Sequence, residues 1–360
     1  MSPETINDHV SSQHIAEFAS ITRQLIHGSR LFIDEGAVVE ILVNPASGLL
    51  KQGRAHKKMM TNLRNLAKAR KTATTPRSGL EVRFHETESP ESAGEKAVQL
   101  VQELVASEKS GRRVLILAGG DGFHRDIGTA LLSKAPQLMK EIALFRLPMG
   151  TGNDNADAAT VEEAFALLNQ AQGTREDALI EITTAQNETH YTFNVVSLGL
   201  DAFISRLTNR MKSLAGPRTI YKLITDISVF SYKWIWPLLP FTLQITHQGK
   251  TTKRQGKFLL TVFGRKGDTR YGGGMKVLPG PENFVLVNPL TLPEMLRIKP
   301  LFYRGAHRGL PFTEFFTCDE VSLDYPGPIL MEMDGEDLRL EKEDFPVRFR
   351  RLPAQLHIID

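Results

Sequence analysis

Three short segments of this 360-residue chain combine glycine with carboxylate or hydroxyl side chains in a way that suits phosphate chemistry. Gly119-Gly120-Asp121-Gly122 stands directly after the apolar run Val114–Ala118 and before a helical pattern. Glycines there let the backbone approach phosphate oxygens, and the amides opening the following helix favour negative charge. Asp121 would repel a bare phosphate, so its presence makes sense if it holds Mg²⁺ or orients a hydroxyl. Pro148-Met149-Gly150-Thr151-Gly152-Asn153-Asp154 follows the run Ile142–Leu147 and repeats the pattern. Two successive strand ends thus carry glycines plus an aspartate, the layout of a nucleotide site built across neighbouring strands. A third turn, Asn44-Pro45-Ala46-Ser47-Gly48, offers Asn44 and Ser47 as hydrogen-bonding groups, although both are also ordinary turn residues. The chain has no Gly-x-x-x-x-Gly-Lys-Ser/Thr segment, and neither of the first two turns has Gly-x-Gly-x-x-Gly spacing. That argues against a P-loop or a dinucleotide fingerprint.

Turns of this kind need strands and helices to hold them. Buried-type strands at Val39–Val43, Val114–Ala118 and Ile142–Leu147 alternate with helical patterns at Ala55–Lys71, Ser92–Val105 and from near His124. Such alternation implies a parallel sheet with right-handed crossovers, a Rossmann-like three-layer α/β domain. After a helix at Val161–Asn169 the pattern becomes β-rich: Leu179–Thr184, Tyr191–Ser197, Phe241–His247, Phe258–Phe263, Phe284–Val287 and Glu320–Tyr325. This reads as a C-terminal antiparallel sheet or sandwich, interrupted by a helical stretch over Pro217–Trp236. His14–Ile26 has apolar residues at helical spacing and reads as an appended amphipathic helix. The expected division is residues 1–36 as a helical extension, 37–157 as the nucleotide-binding domain and 158–340 as a β-rich substrate domain. Residues 340–360 could pack back on the nucleotide domain.

Composition narrows the class without naming a function. With 41% hydrophobic and 24% charged residues, the chain can bury a proper core. Cys318 is its one cysteine, which excludes a disulfide framework or Cys-cluster metal site and fits a reducing, cytoplasmic compartment. Net charge is only +3, too little to argue for nucleic acid. The most apolar window, Ile227–Ile245, contains Lys233, Pro237 and Pro240 and does not read as a membrane span.

In this order, Asn44-Pro45-x-Ser47-Gly48, Gly119-Gly120-Asp121-Gly122 and Gly150-Thr151-Gly152-Asn153-Asp154 resemble the diacylglycerol kinase catalytic domain, a lipid-kinase family with sphingosine and ceramide kinase relatives. The second half agrees: Phe193–Ala202, Tyr271-Gly272-Gly273-Gly274-Met275, Gly305 with His307, and Asp334-Gly335-Glu336 resemble later family motifs. The resemblance implies a phosphofructokinase/NAD kinase-like N-terminal domain, a C-terminal β-sandwich, and an ATP- and Mg²⁺-dependent phosphotransferase acting on a diacylglycerol-like lipid. It further implies a nucleotide site lined by Ser47, Thr87, Gly119–Gly122 and Thr151, with Glu336 as proton acceptor. Asp121 and Asp154 are plausible Mg²⁺ partners, because hard carboxylate oxygens suit that ion. The expected partners are the lipid and an anionic membrane touched peripherally, not nucleic acid; a homo-oligomer stays open. The rival readings are a kinase of a soluble substrate, like NAD kinase or phosphofructokinase, and a non-catalytic member that binds lipid or nucleotide. The chain departs from the family at Phe123, Arg125 and Asp126, and at Asp157, where the family has a basic residue.

Other features have bland and functional readings. Lys51–Leu80 carries nine Lys or Arg and no acid, which reads as a solvated face or as attraction to anionic headgroups. Trp234 and Trp236 fit core packing or a membrane interface. His307 reads as a packing residue and Cys318 as a buried strand residue.

Overall fold

The computed structural model describes residues 3–32, 36–69, 79–109, 111–150, 153–211, 227–228, 231–232, 234–271 and 275–360. They form two compact units, Met1–Asp177 with Ala354–Asp360, and Ala178–Pro353.

The first unit runs α1 (Pro3–His27), β1 (Ala37–Val43), α2 (Gly48–Lys51), α3 (Gly53–Ala69), β2 (Leu80–Glu86), α4 (Pro90–Ala106), β3 (Arg112–Gly119), α5 (Asp121–Lys134), β4 (Ala143–Pro148) and α6 (Val161–Gln170). The expected strand–helix alternation produces a parallel sheet in the order β2-β1-β3-β4. Phe84, Ile41, Ile116 and Phe145 stand side by side across it. β1 is buried along its whole length, as a strand covered on both faces must be, hence its near-continuous apolar run. Glu40 is the exception, and its carboxylate meets Arg83 and His85 of β2 at 2.9 and 2.7 Å. On one face α1, α3 and α6 bury Phe18, Met60, Leu63 and Phe165 against the sheet. α4 and α5 pack on each other and on β3.

The helix expected at His14–Ile26 is present but is not an appendage. Ile15, Phe18, Ile21, Leu25 and Ile26 are part of the first unit's core. It meets α3 through His14, whose ring stacks on His56 with centroids 3.8 Å apart, while Glu17 Oε2 lies 3.1 Å from His56 Nε2. The unit division also differs from the expected one at residue 157. α6 groups with the first unit because Val161, Ala164, Phe165 and Leu168 fill its core. Of residues 340–360, those from 354 on group with the first unit, where Ile358 pairs in parallel with Leu144, while 340–353 group with the second.

The chain leaves the first unit within β5 (Thr174–Thr183). It continues through β6 (Thr189–Thr192), β7 (Val195–Gly199), α7 (Leu200–Met211), β8 (Phe241–His247), β9 (Lys250–Gly256), β10 (Leu260–Gly264), β11 (Thr269–Tyr271), β12 (Met275–Leu278) and β13 (Phe284–Val287). After a helix at Leu292–Arg304 come β14 (Thr313–Phe316), β15 (Glu320–Asp324), β16 (Ile329–Met333), β17 (Glu336–Leu340) and β18 (Val347–Ile359). One antiparallel sheet has the order β14-β13-β10-β7-β16-β17; a second joins β5, β6, β8, β9, β15 and the first part of β18. Phe263, Phe284 and Met331 from the first sheet share a core with Phe241, Val321 and Phe349 from the second, so the unit is the expected β-sandwich. Within β18 the chain leaves this unit at Pro353, and Ala354 takes a left-handed φ of 53°.

Some expectations shift. The strand read over Tyr191–Ser197 is two, β6 and β7, separated by Phe193 and Asn194. Cys318 is buried but sits in the turn between β14 and β15, where its amide donates to Asn283 Oδ1 at 2.8 Å. Of the helical stretch Pro217–Trp236, residues 217–226 lie outside the described residues, whereas 227–228, 231–232 and 234–235 are helical. Trp236 packs against the core that also holds Tyr232, Met295 and Ile298, with Arg339 over its ring.

Candidate active site

In the first unit, three turns meet at the carboxyl ends of β1, β3 and β4. Asn44 closes its own turn: its side-chain oxygen accepts from Ala46 N–H at 2.9 Å and its carbonyl from Ser47 N–H at 3.1 Å. Ser47 caps α2, and its hydroxyl is buried without a hydrogen-bond partner among the described residues. Leu49 N–H reaches Met149 O at 3.2 Å, and Met149 N–H reaches Gly119 O at 2.8 Å, so each turn is pinned to the next. Thr87, after β2, is buried and folds onto the end of β1, with its amide on Val43 O at 3.1 Å.

The glycines are required by close approach. A Cβ on Gly150 would lie 2.7 Å from Gly120 Cα and 3.1 Å from Asn153 Oδ1, and one on Gly119 would run into the Phe123 ring. Phe123, where the family usually has threonine, therefore has a packing role under the turn, and it is buried. Asp121 opens α5, a position where the helix dipole favours a carboxylate. Its oxygens accept the amides of Asn153 and Asn155, both at 2.8 Å. Asn153, at φ 74°, also takes Gly150 N–H on its side-chain oxygen at 2.8 Å. Asp121 thus clamps the second glycine turn to the first. Asp154 beside it is exposed, and Thr151 and Gly152 lie outside the described residues. Among the described residues no group of three or more His, Cys, Asp or Glu could hold a metal ion.

Sequence reasoning missed what lies beneath. Arg146 of β4 and Asp157 form a buried ion pair at 2.6 Å, and the same carboxylate accepts Arg146 N–H at 2.7 Å. Position 157, where a basic residue was expected, thus carries the acid of a buried ion pair. An arginine inside the otherwise apolar run Ile142–Leu147 was the available signal. His124, buried behind Asp121, has its pKa lowered to about 4, chiefly by burial, and stays neutral with Nε2 3.2 Å from Leu117 O. Arg125 pairs with Asp126 at 2.7 Å.

These residues fit a polyphosphate. The orphaned Ser47 hydroxyl, the glycine surfaces that admit no Cβ and the N-terminus of α5 converge on one edge of the sheet.

Glu336 belongs to the second unit. It opens β17 opposite Met333, is exposed, and follows the two-residue turn Asp334-Gly335, with φ of 50° and 91°. Positive φ at both positions is the hairpin geometry that Asp-Gly favours. Asp334 accepts the amides of Phe193 and Asn194 at 2.7 and 3.1 Å. The Asn194 motif and the Asp-Gly-Glu motif are therefore one local structure. Of the triple-glycine segment, 272–274 lies outside the described residues, while Tyr271 is buried. His307 is a packing residue as expected, stacked on Phe302 with Nε2 3.0 Å from Val277 O.

Residues 39–186 match the model described as "Diacylglycerol kinase catalytic domain", and residues 194–360 match "YegS C-terminal NAD kinase beta sandwich-like domain". The chain carries a diacylglycerol kinase catalytic domain followed by a YegS-type C-terminal domain. Both domains support a kinase of the lipid-kinase group. A protein named "probable lipid kinase YegS-like" from Alcanivorax borkumensis is 26% identical over 247 residues, covering 64% of this chain and 74% of that protein. Two solved structures share the fold. One, titled a putative diacylglycerol kinase from Bacillus anthracis, has a TM-score of 0.58 at 16% identity, covering 91% of this chain and 96% of that one. The other, titled a diacylglycerol kinase from the same organism, has a TM-score of 0.53 at 15% identity, covering 91% and 97%. At such identities the likeness concerns fold alone. This chain has the three glycine turns, and at position 157, where the sequence resemblance leads one to expect a basic residue, it has the acid of a buried pair with Arg146.

Proposed function

We propose that the protein transfers the γ-phosphoryl group of ATP to the hydroxyl of a diacylglycerol-like lipid at an anionic membrane surface. The observation that carries this reading is the set of three pinned turns, with the partnerless Ser47 hydroxyl and the Gly120–Gly150 contact, inside a diacylglycerol kinase catalytic domain. Ser47 and the amides opening α5 would bind phosphate oxygens. Asn44, Thr87, Gly119, Gly122 and the Thr151–Asn153 segment would shape the rest of the nucleotide site. Carboxylate oxygens of Asp121 and Asp154 would hold Mg²⁺, an ion usually bound through one or two carboxylates plus substrate phosphates. When bound, it would neutralise charge on those phosphates. Glu336 would take the proton of the lipid hydroxyl as its oxygen bonds to the γ-phosphorus and the bond to the bridging oxygen of ADP breaks.

Support for the membrane comes from exposed side chains in each unit. Trp234 is 92% exposed and Ile235 57%, an expensive arrangement in water but a favourable one at a lipid interface. α3 adds exposed Lys57, Lys58, Arg64 and Lys68; Arg70, Lys71 and Arg77 lie outside the described residues. No described helix is long and apolar enough to cross a membrane.

The test uses purified protein, labelled ATP, Mg²⁺ and mixed micelles of diacylglycerol, sphingosine, ceramide or phosphatidylglycerol, with NAD and fructose 6-phosphate in parallel. Label should enter diacylglycerol, and Glu336→Gln should abolish transfer while ATP still binds. Label only in NAD or the sugar phosphate, or full turnover by Glu336→Gln, would overturn the proposal.

A further inference from the structure

Beneath the Asp334-Gly335 turn lies a buried polar group that phosphoryl transfer does not use. Asp201 in the first turn of α7, Ser197 of β7, Tyr271 of β11 and Glu332 of β16 are all buried. Ser197 Oγ lies 2.8 Å from Asp201 Oδ2 and 3.1 Å from Glu332 Oε2, and the Tyr271 hydroxyl donates to Asp201 Oδ2. Each of these three oxygen–oxygen contacts needs a proton between its atoms. If both carboxylates were ionised, only the Ser197 and Tyr271 hydroxyls would supply one, and one contact would face lone pair to lone pair. A third proton, on a carboxyl group, satisfies all three.

The surroundings locate it. Two hydroxyls converge on Asp201 Oδ2, as suits an anion. Glu332 receives one other donor, Gly335 N–H at 2.6 Å, and faces the carboxylates of Asp201 and Asp334. Among the described residues no cation pairs with Glu332 or Asp201. We infer that Glu332 is a neutral acid that donates to Ser197, and that the chain Glu332–Ser197–Asp201 fixes the Gly335 backbone and hence the placement of Glu336. Burial, with the nearby Asp201 charge next, raises the Glu332 carboxyl well above the usual range.

The anchoring is two-sided. Glu332 holds Gly335 N–H, while the Gly335 carbonyl accepts from Ser205 Oγ at 3.1 Å and Asn209 Nδ2 at 2.8 Å. Asp201, Ser205 and Asn209 are four residues apart in α7 and so form one stripe of that helix. Glu332 is then a positioning residue, one step removed from the chemistry.

The inference rests on the proposed function only in its kinetic arm, so the experiment has two arms that do not. Infrared spectra of the whole protein in D2O should show a buried carboxylic-acid C=O band that Glu332→Gln removes and Asp201→Asn keeps; the reverse would overturn the proton assignment. Amide exchange at Gly335 should quicken at least about tenfold in Glu332→Ala yet stay within about threefold of wild type in Glu332→Gln, whose amide can donate to Ser197 and accept from Gly335. Unchanged exchange in Glu332→Ala would overturn the anchoring. In the lipid assay, Glu332→Ala should lower kcat at least about tenfold with the ATP KM within about twofold, and Glu332→Gln should retain activity. A wild-type protein that phosphorylates no lipid would sink the proposed function and leave the infrared and exchange arms to decide the inference.

Discussion

Truncating Asp157 to alanine isolates the guanidinium of Arg146 inside the α/β unit. Arg146 is 2% exposed, and among the described residues its Nε and Nη1 make no hydrogen bond and the Asp157 carboxylate is its counter-charge. Asp157→Ala removes the 2.6 Å ion pair and the 2.7 Å bond to Arg146 N–H together. Breaking a buried pair in this way costs about 3–5 kcal/mol. For a unit of this size that corresponds to a fall in Tm of roughly 6–20 °C, at about 2–4 °C per kcal/mol. The control is the double variant Arg146→Met with Asp157→Leu, which buries no charge and should unfold within about 1 kcal/mol of wild type. The coupling between the two sites should then be at least about 2 kcal/mol. Both tryptophans lie in the second unit, so their fluorescence follows that unit; amide exchange of β4 reads the first. A loss below about 1 kcal/mol in Asp157→Ala, or a double variant as unstable as the single, would refute the reasoning.

Three further outcomes are expected. Gly150→Ala should weaken ATP binding in calorimetry and destabilise the protein by about 1–3 kcal/mol, because its Cβ overlaps Gly120; Gly173→Ala, whose Cβ would meet nothing within 4 Å, should change neither. His56 is held down at about 4, mainly by burial and then by His14, so protons bind the unfolded chain more tightly; stability should fall as pH drops from 6.5 towards 4. Urea midpoints across that range should flatten in His56→Gln, and an unchanged slope would count against the assignment. Trp234→Ala should reduce binding to phosphatidylglycerol vesicles by about tenfold or more, from about 1.5–3 kcal/mol of lost apolar burial; equal sedimentation with vesicles would remove Trp234 from the membrane contact.

What could be read from the sequence was whatever repeats along the chain. β1, β3 and β4 announce themselves because strands covered on both faces are apolar throughout. β9, Lys-Thr-Thr-Lys-Arg-Gln-Gly, has no such pattern: it lies beyond β8 at a sheet edge, where charge discourages unwanted pairing. The helix Leu292–Arg304 was hidden by Pro300, yet its Thr291/Glu294 capping box and the Gly305 cap were visible signals. The turn residues were legible as types, since glycine at a strand end has few other uses. Their partners were not. That Asp121 clamps Asn153 and Asn155, that Arg146 answers Asp157, and that Asp201 reaches Glu332 through Ser197 are all long-range pairings without a local period.

The return of residues 354–360 to the first unit bears on how the chain is made. Its edge strand β4 lacks the neighbour that Ile358 supplies until the whole of Ala178–Pro353 has been translated, an interval on the order of 10–35 s at ribosomal speed. The sandwich is continuous in sequence, whereas the first unit is assembled from two separated stretches. The first unit is completed last, and a polypeptide released before Ala354 carries an open β4 edge ready to pair with another molecule.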